Sequence, residues 1–451
     1  PSLRVDADKA QDLTQKMEAE IDDTVKEVGT NLTRKDLSGE NSFEMLLQTA
    51  LEDAGDDPQV YSKSTKKKNK AWMFAIAKAD PQREQLEQHG DERVRKLMAA
   101  RAAVKSWPLH IARINRIVNQ AQAAGGYLPV PLKYWGAHTG RWSGGEKINL
   151  QNLGSRGHDL VNAVRELIIA DEGKELVVAD ASQIEARVLA WIAGQWDLVT
   201  KFSNGEDVYC DFAEKVLGYR VRKPRTGDNV IQAVEGRHKW ARNSVGKVGV
   251  LGCGYGMGPA KTVGYAGGTL DLPTAEKIVA TYREDNDKIV QFWHDIERAF
   301  LYTFKYQQPC EMPRGLRFDT ANDCDVIIIL PNGRELKYHN VKTEPDVYGG
   351  ERLAVYNALE QHWDHLWGGH LTENVVQAIS RDILWEAIWA LECGGNHVAL
   401  HVHDELIAHV DKGAGEHVLQ LAIQYLSTPP GWGPDLPLAA EGLITERYCV
   451  H

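Results

Sequence analysis

Cysteine is scarce and scattered in this 451-residue chain. The six cysteines, at positions 210, 253, 310, 324, 393 and 449, form no CxxC pair. That spacing argues against a disulfide framework or a structural zinc site and fits a reducing cytoplasm. No uncharged apolar run of about 18 residues or more occurs, so no membrane span is expected. The N-terminus lacks a basic-then-apolar leader, and it opens on Pro1 rather than Met, which reads as a processed or truncated chain. Basic charge is not in excess: the formal net charge is −11. Taken alone this argues mildly against a nucleic-acid partner, but clustering of basic residues matters more than the total. There is no internal repeat, no low-complexity linker and, before residue 120, no acid cluster suited to an exonuclease.

What is present falls into two textures. The first 120 residues read as helical, over Ala7–Val28, Ser42–Ala54 and a charged stretch from Pro81 to Gln122. Between the last two lies a run with five lysines (63, 66, 67, 68 and 70) and no acid. It is either a solvated loop or a strip that meets phosphates. From Gly125 onward, short β-rich segments appear. Glu175–Asp180 reads as a buried strand, and Ser182–Ala193 as a helix with an apolar stripe at Ile184, Val188, Trp191 and Ile192, stopped by Gly194. Residues 206–300 read as helices. Residues 326–338 read as a hairpin turning at Asn332-Gly333, Leu371–Leu391 as a long helix closed by Gly394-Gly395, and His397–Val410 as a second hairpin with His403-Asp404 near its tip. Leu436–Tyr448 returns to extended structure. The fold class is α+β.

Two carboxylates each end an apolar strand: Asp180 after Leu-Val-Val-Ala, and Asp404 between Val398–Val402 and Leu406-Ile-Ala. A strand end is a rigid mount, and two such acids on neighbouring strands can hold a pair of Mg²⁺ ions about 3.5–4 Å apart. Each acid taken singly reads equally well as a solvated strand end. Ser182-Gln-Ile-Glu185 has the form of a capping box. His362 and His365, three apart on an expected helix, read as a surface pair. Gly252-Cys-Gly-Tyr-Gly-Met-Gly258 has the wrong spacing for a dinucleotide fingerprint.

These residues resemble a known family. Asp180-Ala-Ser-Gln-Ile-Glu-Ala-Arg187 is similar to motif A of family A DNA polymerases, Lys247 with Tyr255-Gly256 to motif B, and His403-Asp404-Glu405 to motif C. Thr139-Gly-Arg141-Trp-Ser with Asn149-Leu-Gln151-Asn152 forms a fourth block, and Glu373-Asn-Val-Val-Gln377-Ala a fifth, all in the family's order. Trp367-Gly-Gly and Pro437-Leu-Ala-Ala-Glu-Gly442 look most like bacteriophage or prophage members. The resemblance implies a right hand: N-terminal helices and thumb over 1–124, palm over 125–205 and 306–451, and fingers over 206–305. It implies a DNA-directed DNA polymerase that adds dNTPs to a primer 3′-hydroxyl and releases pyrophosphate.

The same resemblance implies the site. Asp180, Asp404 and the Ala181 carbonyl would bind two Mg²⁺ ions, with Mn²⁺ a possible substitute, and Glu405 would support them. Lys247 and a basic neighbour would grip the triphosphate. Tyr255, followed at helical spacing from Lys247 and Leu251, would stack near the nascent base pair. Glu185 would block a 2′-hydroxyl, and Gln183 and Tyr209 would join the nucleotide site. Arg141 and Gln377 would read minor-groove acceptors common to every base pair. Asn149, Gln151, Asn152, His403, Lys63 and Lys66 would add DNA contacts. The implied partners are primer–template DNA and dNTPs, with no membrane; the chain would act as a monomer, with replication accessory proteins as further partners, in the cytoplasm, that of the host if phage-encoded.

Three departures from the family pattern stand out. Asn243 replaces the arginine expected four residues before Lys247, leaving Arg242, His238 or Lys239 as substitutes. Leu251 replaces a usual Phe or Tyr. Gly246, Gly249, Gly252 and Gly254 load the fingers helix, which suggests an irregular or mobile element. The alternatives are a single-subunit RNA polymerase on the same palm, disfavoured by Glu185 and Glu405, and a metal-dependent nuclease, disfavoured by the ordered motif B and Arg141 blocks.

Overall fold

A computed structural model describes residues 2–29, 31–65, 72–77, 80–153, 158–223, 232–267, 269–345, 350–357 and 361–449. The chain divides into two compact units. One comprises residues 1–131, 146–176 and 445–451; the other comprises 132–145 and 177–444. Among the described residues, no helix is long and apolar enough to cross a membrane.

The first unit is built on helices α1 (Ala7–Val28), α2 (Glu40–Ala54) and α3 (Glu92–Ala123). On α1, Ala10, Leu13, Met17, Ile21 and Val25 recur every three or four residues and are buried, so one stripe packs along α3. The charged stretch expected to run on from Pro81 is two helices, because Asp91 accepts from the N–H groups of Arg93 and Val94 and starts α3 afresh. Ser2–Val5 pairs with Tyr127–Pro129 on one side and Ile168–Ile169 on the other.

The second unit centres on a four-stranded sheet made from β1 (Lys174–Ala181), β4 (Val398–Val402), β5 (Glu405–Asp411) and β6 (Ala440–Thr445), in the spatial order β4-β5-β1-β6. Val177, Val178 and Ala179 are wholly buried, which is why the run is continuously apolar rather than alternating. Helices α4 (Ile184–Ala193), α5 (Val208–Leu217), α6 (Asp287–Tyr306) and α7 (Gly368–Cys393) share one core with this sheet. The expected hairpin is present as β2 (Asp325–Ile329) and β3 (Glu335–Tyr338), with Gly333 at φ +84 in the turn. One expectation fails here. His362 and His365 lie on a strand, His362–Leu366, that pairs with Glu351–Asn357, so an odd spacing puts them on opposite faces.

Candidate active site

Asp180 is the penultimate residue of β1, and Asp404 occupies the turn between β4 and β5. The strands are neighbours, and the N–H of Ala181 donates to the carbonyl of Asp404 at 3.0 Å. Both aspartates are half-buried, and Glu405, the first residue of β5, is buried. His403 is exposed and holds φ +54, in the left-handed region that non-glycine residues rarely enter.

The loop after Asp180 differs from expectation. Ser182 does not cap α4. The N-cap is Gln183, at φ +57, and no side chain caps the helix. The Glu185 carboxylate, freed from any reach back to the cap, instead accepts from Arg141 Nη2 at 2.6 Å and from the Tyr255 hydroxyl at 3.0 Å. Burial together with the Glu185 charge raises the Tyr255 phenol well above its ordinary pKa, so it stays protonated as a donor. Glu373 and Gln377 are half-buried at i and i+4 on α7, and Gln377 Nε2 donates to Glu373 Oε1 at 3.1 Å. Arg141, Glu185 and Tyr255 are thus brought together from three separate segments.

The segment bearing Lys247 is a π-helix, Ala241–Gly252, rather than the expected α-helix. Its hydrogen bonds span five residues instead of four, a rare form that is frequent at functional sites. It ends at Gly252, so Tyr255 sits in the following turn and not on a continued helical face. A Cβ at Gly246 would lie 2.2 Å from the Tyr209 carbonyl, and one at Gly249 2.2 Å from the Phe212 ring. The glycines therefore let this helix close onto α5. Tyr209 is buried, with the Lys247 ammonium 5.9 Å and the Arg242 guanidinium 5.3 Å from its ring centroid. Arg242 Nε also donates to Asp207 at 2.8 Å, and Asp207 in turn caps α5. Asn243 is exposed and Leu251 half-buried.

The remaining candidates are in the first unit. Lys63 donates to Asp80 at 2.7 Å, and Lys66 is outside the described residues. Asn149 caps a short 3₁₀ turn by accepting from the Gln151 N–H, Gln151 is buried, and the Asn152 carbonyl accepts from Arg113.

A cluster that sequence reasoning missed supports Arg141. Arg334, just past the β2–β3 turn, donates to Asp382 and to the carbonyls of Thr139 and Ala378. Arg381 Nε donates to the Gly140 carbonyl. Gly140 is at φ +82, and a Cβ there would come within 2.5 Å of Arg334. Only the Asn-Gly turn gave any local sign of this, because the contacts join segments 195 and 241 residues apart.

The donor set at Asp180 and Asp404 is hard oxygen, half-buried, at the ends of adjacent strands. It fits a divalent cation such as Mg²⁺, which takes one or two carboxylates and completes its shell with water or phosphate oxygens.

A family model described as DNA polymerase family A matches residues 7–308. A DNA polymerase of Bacillus phage SP02 is 32% identical over 353 residues, covering 70% of this chain and 52% of the phage protein. The chain thus spans about half the length of that relative. DNA polymerase I from Thermus aquaticus is 41% identical over 80 residues, 18% of this chain and 9% of that protein. Among solved structures, the POL domain of Pol1 from M. smegmatis, in complex with DNA primer-template and dNTP, matches with a TM-score of 0.65 and 19% identity, over 99% of this chain and 67% of that one.

Proposed function

Because the chain belongs to DNA polymerase family A, we propose that it extends a DNA primer on a template, transferring a nucleotidyl group from a dNTP to the primer 3′-hydroxyl with release of pyrophosphate. One observation carries the reading. Asp404 lies beyond the residues matched by the family model, yet its carbonyl is hydrogen-bonded to the N–H of Ala181, beside Asp180. The two acids thus share one end of the two central strands.

Asp180, Asp404 and the Ala181 carbonyl would hold two Mg²⁺ ions, for which Mn²⁺ can substitute. The chemistry such ions supply when bound is a lowered pKa at the 3′-hydroxyl and neutralised charge on the triphosphate. Glu405, buried at the start of β5, would support that end. Lys247 and Arg242, both near the Tyr209 ring, would present positive charge to the triphosphate, and Asp207 holds the Arg242 guanidinium in place. Tyr255 abuts the base of the incoming dNTP, and Gln183 lies beside it. Glu185, held from two sides, meets the sugar where a ribonucleotide carries its 2′-hydroxyl. Arg141, Gln377 and His403 contact the primer end, and Asn149, Gln151, Asn152, Lys63 and Lys66 the duplex and template. We assign residues 1–124 to N-terminal helices and thumb, 125–205 and 306–451 to palm, and 206–305 to fingers. The chain acts as a monomer in the cytoplasm, that of the host if it is phage-encoded.

Primer extension with Mg²⁺, the four dNTPs and a defined template tests the proposal directly. The unaltered chain should extend the primer. Asp404→Asn should abolish extension while primer–template binding, read by fluorescence anisotropy, stays largely intact. Normal extension by Asp404→Asn would sink the proposal.

A further inference from the structure

Trp367 immediately precedes α7 with an extended backbone and is 43% exposed. Its six-membered ring fills a slot between two glycines from distant segments. A Cβ at Gly256 would lie 2.6 Å from Cζ3 of Trp367 and 2.8 Å from Cη2. A Cβ at Gly369 would lie 2.3 Å from both those atoms and 2.3 Å from the carbonyl oxygen of Tyr255. Any side chain at either position would evict the ring. Gly256 is also held at φ +76, which favours glycine independently.

The slot is tied down on its far side. The Trp293 indole N–H donates to the Gly254 carbonyl at 2.9 Å, and the Gly368 N–H donates to Glu297 at 2.9 Å. A Cβ at Gly368 would fall 1.9 Å from the Trp293 carbonyl oxygen. The turn carrying Tyr255 is therefore wedged between Trp293 and Trp367, and its outward movement is opposed by the Trp367 ring. Tyr255 in turn donates to Glu185 at 3.0 Å.

We propose that Trp367 is a positioning residue for sugar selection, pinning the Tyr255 turn so that the tyrosine hydroxyl holds Glu185 in place. This rests on the reading of Glu185 as the group that meets the nucleotide sugar. The ring touches neither substrate nor reacting atoms; it acts through Tyr255. Loss of the ring lets the turn relax, and the carboxylate, then held by Arg141 alone, has one donor fewer to keep it from swinging aside for a 2′-hydroxyl.

The test compares kcat/KM for a dNTP and the matching rNTP in the unaltered chain, Trp367→Ala, Trp367→Phe and Glu185→Ala, with thermal melting of each. Trp367→Ala should lower the dNTP-to-rNTP ratio on the order of 10-fold, mainly through a lower KM for the rNTP, with little change in melting. Trp367→Phe, which keeps a ring in the slot, should recover most of the ratio. A ratio unchanged in Trp367→Ala while Glu185→Ala lowers it overturns the role of Trp367 and leaves the gate reading intact. A ratio unchanged in Glu185→Ala overturns the gate reading and the proposal together. Should Trp367→Ala melt early, Trp367→Leu takes its place, and an unchanged ratio there overturns the proposal equally.

Discussion

Glu185 has one carboxylate and two donors, a guanidinium at 2.6 Å and a phenol at 3.0 Å. Charge-assisted bonds of this kind are the stronger class and fix a rotamer. Glu185→Ala should therefore both remove the block against a 2′-hydroxyl and release Arg141. Ribonucleotide incorporation should rise by about 10-fold or more, and primer-end affinity should fall, both measurable in single-nucleotide extension. Leu251 offers less stacking area than an aromatic residue, so dideoxynucleotides should be accepted poorly; efficient chain termination by the purified protein would contradict this. The proposed gate is only half legible in the sequence. The spacing of Ser182 and Glu185 is that of a capping box, and periodicity has no means of showing that Gln183 turns left-handed and detaches the cap. Arg242 was legible as a nearby cation but its tie to Asp207 was not, since 35 residues separate them.

At the scale of elements, the π-helix is the departure with the largest consequence. Glycine-rich sequence reads as weak helix, and irregularity was indeed found. The reason is contact: Gly246 and Gly249 give α5 its approach. Gly246→Ala should destabilise the protein by about 1–3 kcal/mol through overpacking against backbone, and raise the KM for dNTP. Gly264→Ala, in the helix Pro259–Tyr265 with open space at its Cβ, should be neutral or stabilising by up to about 1 kcal/mol. Urea denaturation of the two variants separates packing from propensity. The strands and long helices were read with their boundaries nearly right, because burial imposes a period on sequence. The break before α3 and the strand at His362–Leu366 were missed, the first because an N-cap interrupts an otherwise helical pattern, the second because a short polar strand leaves no period.

For the molecule as a whole, His401 is one of several histidines among the described residues that make stability sensitive to acid. It lies buried on β4, and burial, with Arg381 and His403 adding repulsion, lowers its pKa to about 4. A histidine whose folded pKa lies below its unfolded value contributes stability fully above the unfolded pKa, and that stability is lost as pH falls toward the folded one. Between about pH 6.5 and 4 the protein should lose on the order of 3 kcal/mol from this group. His401→Gln should flatten the dependence over that window in chemical denaturation. Fold class was readable from the alternation of helical and β textures. The division into two discontinuous units was not, since residues 132–145 join a unit whose remainder begins at Val177, and no local signal marks a chain that crosses back.

Gln183 and His403, one near each aspartate, both hold left-handed backbone that an L side chain enters at a cost of roughly 1–2 kcal/mol. Glycine at either place would relax that conformation, so His403→Gly should melt higher, by about 0.5–1 kcal/mol of stability after its own entropic cost. It should also extend primers more slowly. A library selected for heat resistance alone would then drift toward enzymes that survive and do less, whereas one selected for extension would keep the tension where it stands.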